Sequence, residues 1–140
     1  MTKPLHRIYV AGPIGEDPAV WDARQAQALD VAQMLRDARF APFVPHLYLA
    51  WHRRYPRKDW LDLDLAWLAA CDGVLRLPGP SDGADEEVRT AFALGQYVVT
   101  LRAGGDLVEA VRAFEQERER RYPGLSAALG RLDTLHRAPP

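Results

Sequence analysis

Arg7-Ile8-Tyr9-Val10-Ala11 is an apolar run that stops at Gly12-Pro13, and its reading decides the fold. A short apolar run closed by turn residues reads as a buried strand. A helix is expected after it. Asp17 is a suitable N-cap, and Pro18 fits a first helical position, where no N–H is needed. Trp21, Ala28, Val31, Ala32 and Leu35 then recur at helical spacing to about residue 39. The alternation continues with a second strand at residues 40–44, ended by Pro45. Residues 46–57 are aromatic and basic and read as a loop, since Pro56 interrupts any helix. A helix at about 58–70 precedes a third strand at 73–77, stopped by Pro78-Gly79-Pro80. A helix over 84–94 closes on Gly95, and a fourth strand follows at 97–101. Residues 106–121 are helical, with Leu107, Val111 and Phe114 on one side. A short helix is expected at 124–132, and Ala138-Pro139-Pro140 is expected to fray. Strands alternating with helices predict an α/β fold with a mostly parallel sheet. Ligands of such sheets bind beyond the carboxyl ends of the strands. The candidate segments are therefore 12–16, 45 onward, and 78–87.

The chain has 140 residues, which suits one domain, and its net charge of −1 is close to neutral. The balance of 18 basic and 19 acidic residues argues against a nucleic-acid polymer as partner, because coating phosphates needs a basic field. No apolar stretch is long enough to span a bilayer. Met1-Thr2-Lys3-Pro4 leads into no apolar signal-peptide core, so a cytoplasmic location is expected. One cysteine, Cys71, makes no internal disulfide and reads as a small buried residue at a helix end. No histidine pair has metal-ligand spacing with a third ligand, and no metal is expected. No serine hydrolase elbow is present. Arg118, Arg120 and Arg121 alternate with Glu117 and Glu119 and read as a solvated helix face.

Five features stand out from this background. Asp64 lies on the same helical stripe as Leu61, Leu65 and Leu68, where a carboxylate is costly without a partner or a purpose. Local capping at the stripe edge is the plain alternative. Glu87 falls in the first turn of the helix expected from 84, on the side of Ala84, Ala91 and Leu94, where the helix dipole favours an ionised carboxylate. Acidic residues are also common in first turns for the dipole alone. The loop Pro80-Ser81-Asp82-Gly83-Ala84 leads into a helix N-terminus, where free N–H groups bind anions. Ser81 and Gly83 suit that task, and simple capping competes with it. Gly12-Pro13-Ile14-Gly15 lacks the dinucleotide G-x-G-x-x-G pattern but lets a ligand approach the backbone. An ordinary turn is the alternative. Finally, His46, Trp51, His52 and Trp60 offer rings to stack on a base, or simply pack a loop or subunit contact.

Taken together these pieces resemble the nucleoside 2-deoxyribosyltransferase-like superfamily. The match runs from Ile8-Tyr9-Val10-Ala11-Gly12-Pro13-Ile14 through Asp64-Leu65-Ala66-Trp67-Leu68 and Cys71-Asp72-Gly73-Val74. It continues with Leu77-Pro78-Gly79, Ser81-x-Gly83-x-x-x-Glu87 and Ala91-x-x-x-Gly95. It is strongest to a small bacterial and phage branch opening with Tyr-Val-Ala-Gly-Pro. The resemblance implies a Rossmann-like or flavodoxin-like three-layer sandwich with a four- to five-stranded parallel sheet. It implies one such domain over residues 1–140, with a C-terminal helical extension at about 105–135. It also implies a homodimer or homotetramer, and chemistry at the N-glycosidic bond.

By the motif match Glu87 takes the nucleophile's place, Asp64 handles the sugar or the leaving base, and Tyr9 positions the nucleophile. Ser81 stands where relatives that hydrolyse 2′-deoxynucleoside 5′-monophosphates carry serine. It would hold a 5′-phosphate with Gly83 and the 12–15 backbone (Gly12, Ile14 and Gly15), although Pro13 has no N–H to offer. His46 and Trp60 join them as substrate-binding candidates. Glycosidic cleavage passes through an oxocarbenium-like state that one carboxylate can trap covalently. A base leaves more easily when protonated, so a proton donor is needed, and burial on an apolar stripe suits Asp64 to that part. No cofactor is required. The expectation is cleavage of a (2′-deoxy)nucleoside or its 5′-monophosphate, with hydrolysis or transfer to another base. The alternative is a nucleotide-binding sensor or partner module that kept the fold and turns nothing over.

Overall fold

In the computed structural model the opening apolar run is strand β1 (Arg7–Ala11). The structure describes residues 4–136 except residue 16, without the side chains at 51 and 133–136, so the expected fraying at 138–140 lies outside the described residues. Asp17 caps a 3-10 turn (Pro18–Val20) by accepting the Ala19 N–H, and helix α1 (Trp21–Asp37) continues from it. The buried residues of α1 are Trp21, Ala28, Val31, Ala32 and Leu35, the set expected from their spacing. Strand β2 (Ala41–Phe43) is shorter than the expected 40–44. Then come helices α2 (Leu49–Arg54) and α3 (Arg57–Ala69), strand β3 (Gly73–Arg76), helix α4 (Asp82–Ala93) and strand β4 (Tyr97–Thr100). Helices α5 (Leu107–Arg121) and α6 (Leu125–His136) close the chain.

The four strands form one parallel sheet in the order β2-β1-β3-β4. The chain leaves β1 toward β2 on one side, then crosses to β3 on the other. The C-terminal ends of β1 and β3 therefore flank the point where strand order reverses, the usual place for a ligand. Alternation along the strands sorts the core into two layers. Ile8, Val10 and Leu75 pack with Ala28, Leu35 and Phe114 beneath α1 and α5. Tyr9, Ala11 and Val74 point the other way, to Leu68, Ala84 and Ala91 of α3 and α4. Tyr9 thus shares a layer with the helices that carry Asp64 and Glu87.

Two expectations are corrected. Residues 46–57 are not a loop: a 3-10 turn (Pro45–Tyr48) and α2 occupy them, and Pro56 ends nothing but the short gap before α3, whose N-cap it is. Proline is incompatible with a helix interior but fits ahead of a first turn. The 117–121 stretch is not a solvated face: Glu117 and Arg121 pair with their side chains 11% exposed, and Arg118 lies deepest. It is 3% exposed, donates to the Ala38 and Arg39 carbonyls at 2.9 and 3.3 Å, and lies over the Phe40 ring. The long stem lets it reach from α5 to the end of α1 and satisfy carbonyls a helix terminus leaves open. Arg120 remains exposed and pairs with Glu117. Cys71 is buried, as expected. Among the described residues, no helix is long and apolar enough to cross a membrane.

Candidate active site

The segment after β1 is held from α1. The Trp21 indole N–H donates to the Gly15 carbonyl at 3.0 Å, and Arg24 donates to the Ile14 carbonyl at 2.8 Å. Gly12 packs so closely on Leu77 that a Cβ there would stand 2.9 Å from Leu77 Cδ1. Gly15 has φ 76°, and a Cβ would meet the Arg24 guanidinium at 2.6 Å. Both glycines are thus required by geometry. After β3, Arg76 braces the facing turn by donating to the carbonyls of Leu77 and Gly79 and pairing with Asp85 at 3.0 Å. Ser81 caps α4 by accepting the Ala84 N–H at 3.1 Å, so the capping alternative holds, while its own hydroxyl proton stays available.

Between these segments lies a cavity of about 570 Å³. Gly12, Ile14, Gly15, Trp60, Ser81 and Gly83 line it, and Glu87 forms part of its wall. Three arginines that the sequence reading left unassigned also line it: Arg24, Arg53 and Arg57. Arg53 lies over the Trp21 ring at 5.1 Å, and Arg57 reaches Gly83 at the start of α4. A cavity lined by a helix N-terminus and three guanidinium groups, with Arg57 nearest that terminus, favours a ligand with negative charge. The basic character of residues 53–57 was visible in the sequence. Its destination was not, because a loop reading gave those side chains no common direction.

Of the expected α3 stripe, Asp64 and Leu68 are buried and Leu61 and Leu65 half-buried, while Asp59 and Asp62 are exposed. Asp64 lines a second, smaller cavity of about 210 Å³ with Phe43, Tyr48, Leu63 and Trp67. His52 and Trp60 line both cavities. His52 was noticed in the sequence only as one of several rings, and the structure pairs it with Asp64: Nε2 stands 3.8 Å from Oδ2, both side chains nearly closed to solvent. His46 lines neither cavity. It is buried, and its Nε2–H donates to the Pro13 carbonyl at 3.3 Å, tethering the loop from behind. Burial holds its pKa down to about 4, so this imidazole is neutral at ordinary pH.

Tyr9, Asp64 and Glu87 meet in the layer between the sheet and α3 and α4. The dipole argument for an ionised Glu87 is overturned. With Ser81 as N-cap, Glu87 falls in the second turn of α4, past the free N–H groups, and is 5% exposed. Burial pushes its carboxyl from 4.5 to about 8, the Tyr9 hydroxyl works against that rise, the Asp64 charge adds to it, and Arg76 lowers it. Burial, followed by the charges of Glu87 and Asp64, raises the Tyr9 phenol well above its usual value of 10. Neither Tyr9 Oη nor Glu87 Oε2 completes a hydrogen bond among the described residues. A buried carboxyl that is easily protonated, short of partners and open to a cavity has the character of a reactive group.

No protein-family model matches the sequence, and neither does any curated protein. Solved structures are similar, two of them as follows. One is a 2-deoxyribosyltransferase from Leishmania mexicana, at TM-score 0.55 and 22% identity, covering 69% of this chain and 64% of that one. The other is a 2-deoxyribosyltransferase from the psychrotolerant bacterium Bacillus psychrosaccharolyticus, at TM-score 0.48 and 19% identity, covering 69% of this chain and 72% of that one. This chain therefore spans about two thirds of the length of these enzymes, and over its matched part it has the fold of the Leishmania mexicana 2-deoxyribosyltransferase.

Proposed function

We propose that this protein cleaves the N-glycosidic bond of a (2′-deoxy)nucleoside 5′-monophosphate, with Glu87 as the nucleophile. The observation that carries this reading is the single cavity that joins the buried Glu87 carboxyl to a cationic rim at the start of α4. In this reading the 5′-phosphate lies against Ser81, Gly83 and Arg57, the sugar lies over Glu87, and the base extends toward Trp60. The fold shared with 2-deoxyribosyltransferases supports the class of reaction, since those proteins act on deoxyribosyl groups by name.

The chemistry follows from the electrostatics. The substrate is neutral at C1′, and the transition state is cationic there. A carboxylate that burial leaves poorly solvated gains most when that charge develops, so it stabilises the transition state more than the ground state. One Glu87 oxygen bonds to C1′ as the C1′–N bond breaks, and the electron pair leaves with the base, which takes up a proton. Tyr9 supplies the hydroxyl that steadies the ionised carboxylate before attack. A water then attacks C1′, its proton goes to an acceptor in the site, and Glu87 is released as a carboxylate. A second base in place of water gives transfer. The assembly expected to carry this out is a homodimer or homotetramer.

The test is chromatographic release of free base from a panel of (deoxy)nucleosides and their 5′-monophosphates. Wild type is run beside Glu87→Ala and Arg57→Ala. Release confined to monophosphates, abolished by Glu87→Ala, with KM raised about 10- to 100-fold by Arg57→Ala, is the expected result. Release that requires an added base marks a transferase. No release by wild type, with nucleotide binding retained in both wild type and Glu87→Ala, would replace the enzyme with a binding module.

A further inference from the structure

The His52 imidazole is the polar group at the junction of the two cavities. The larger cavity holds Glu87 and the cationic rim, and the smaller one is walled by Phe43, Tyr48, Trp67 and Asp64. His52 and Trp60 belong to both and are in ring contact, with centroids 4.5 Å apart. The His52 side chain is 3% exposed. Its Nε2 faces Asp64 Oδ2 at 3.8 Å, and its Nδ1 is buried without a hydrogen-bond partner among the described residues. Such an orphaned nitrogen costs stability unless something else satisfies it. One nitrogen is thus turned to a buried carboxylate and the other is left for a ligand, the arrangement by which a carboxylate orients and supports an imidazolium.

We propose that His52, oriented by Asp64, is the acid that protonates the leaving base. The inference rests on the glycosidase reading above and assigns it a residue from outside the motifs of the sequence. The small cavity supplies the matching seat. Its lining is rich in aromatic rings, Phe43 stacked with Tyr48 at 5.7 Å and with Trp67 at 5.1 Å, and a flat base suits such an apolar, aromatic slot. A base in that slot has its sugar over Glu87 and one ring nitrogen beside His52.

The step balances. The C1′–N pair goes to the base, the proton on His52 Nδ1 goes to a ring nitrogen of that base, and a Glu87 oxygen bonds to C1′. The base leaves neutral, and His52 is left neutral with Nε2–H toward Asp64. When water attacks C1′, its proton returns to His52 Nδ1 and Glu87 regains its charge. The groups set directly against His52 are Asp64 and Trp60 of α3 and His46 of the preceding 3-10 turn, and the charged groups that line the larger cavity with it are Arg24, Arg53, Arg57, Asp82 and Glu87.

The experiment compares two leaving groups on one sugar phosphate. The first substrate is the 5′-monophosphate turned over fastest in the base-release panel. The second is the 4-nitrophenyl glycoside of the same sugar 5-phosphate, whose phenolate departs without a proton. His52→Gln is expected to lower kcat on the nucleotide by about 10²- to 10⁴-fold and to leave nitrophenolate release close to wild type. Glu87→Gln removes both. If His52→Gln does not fold, wild type alone decides: an alkaline fall in kcat with the nucleotide that is absent with the nitrophenyl glycoside supports the acid. Equal losses on both substrates, an unchanged nucleotide rate, or the same alkaline limb on both, overturns the proposal. Wild type inactive on both substrates instead removes the glycosidase reading, and the role of His52 falls with it.

Discussion

Tyr9 on β1 and Glu87 on α4 act on each other across 78 positions of sequence: the phenol holds the carboxyl down, and the carboxyl holds the phenol protonated. Both are buried, and among the described residues neither Tyr9 Oη nor Glu87 Oε2 has a completed hydrogen bond. A change of charge at Glu87 is therefore felt directly at the Tyr9 hydroxyl.

Tyr9→Phe removes the one hydroxyl that opposes the rise at Glu87. The carboxyl then titrates above its present value of about 8, and less of it is ionised at neutral pH. In the reacting state proposed above, the hydroxyl donates to the ionised carboxylate, and a hydrogen bond to a charged group contributes about 1.5–3 kcal/mol. The kcat/KM of the variant at pH 7 is expected to fall about 10- to 100-fold, with partial recovery as pH rises. A pH–rate profile with an ascending limb in the same place as wild type would contradict this role.

Glu87 sets function against stability. Its folded pKa of about 8 lies above the ordinary 4.5, so between those values the folded state holds a proton that the unfolded chain has lost. Stability falls as pH rises through that window. Glu87→Gln keeps the shape of the protonated group and cannot ionise. Its melting temperature is expected to exceed that of wild type at pH 8 and to match it near pH 4.5. Equal melting temperatures at both would show that the carboxyl is better solvated than its burial implies.

His46 works in the opposite direction. Its folded pKa of about 4 lies below 6.5, so the unfolded chain binds the extra proton between them. Stability is present above pH 6.5 and is lost as pH falls toward 4, by roughly 3 kcal/mol for this group. Urea titrations at pH 7 and pH 4.5 measure the loss. His46→Gln is expected to be less stable at pH 7 and to lose less on acidification.

Arg118 ties α5 to the end of α1 through the carbonyls of Ala38 and Arg39 and the Phe40 ring. Arg118→Ala leaves those carbonyls short of a donor and opens a gap beside Phe40. The expected cost is about 2–4 kcal/mol, read as a lower urea midpoint with an unchanged slope. Arg120→Ala, on the exposed face, is expected to change stability by less than about 0.5 kcal/mol.

Much of this was legible in the chain itself, because the signals are local. The run at 7–11, the helical spacing of Trp21 to Leu35 and the stripe through Asp64 each show which side of an element is buried, whatever it packs against. A carboxylate on an apolar stripe was visible as an anomaly, and so was the glycine-bearing turn before α4. The segment 46–57 was misread because Pro56 separates two helices as readily as it ends one. Arg118 was misread because alternating charges look solvated until the neighbouring helix end is in place.

The tertiary structure decided what depends on distance and desolvation. Residues 9, 52, 64 and 87 come from four different elements, and no spacing rule brings them together. The sign of the Glu87 shift follows from the same cause. Local sequence placed it near a helix start, where the dipole favours charge, while its position in the second turn, against the sheet, made burial the larger effect. Backbone patterning is written in neighbours along the chain; the state of a proton is set by neighbours in space.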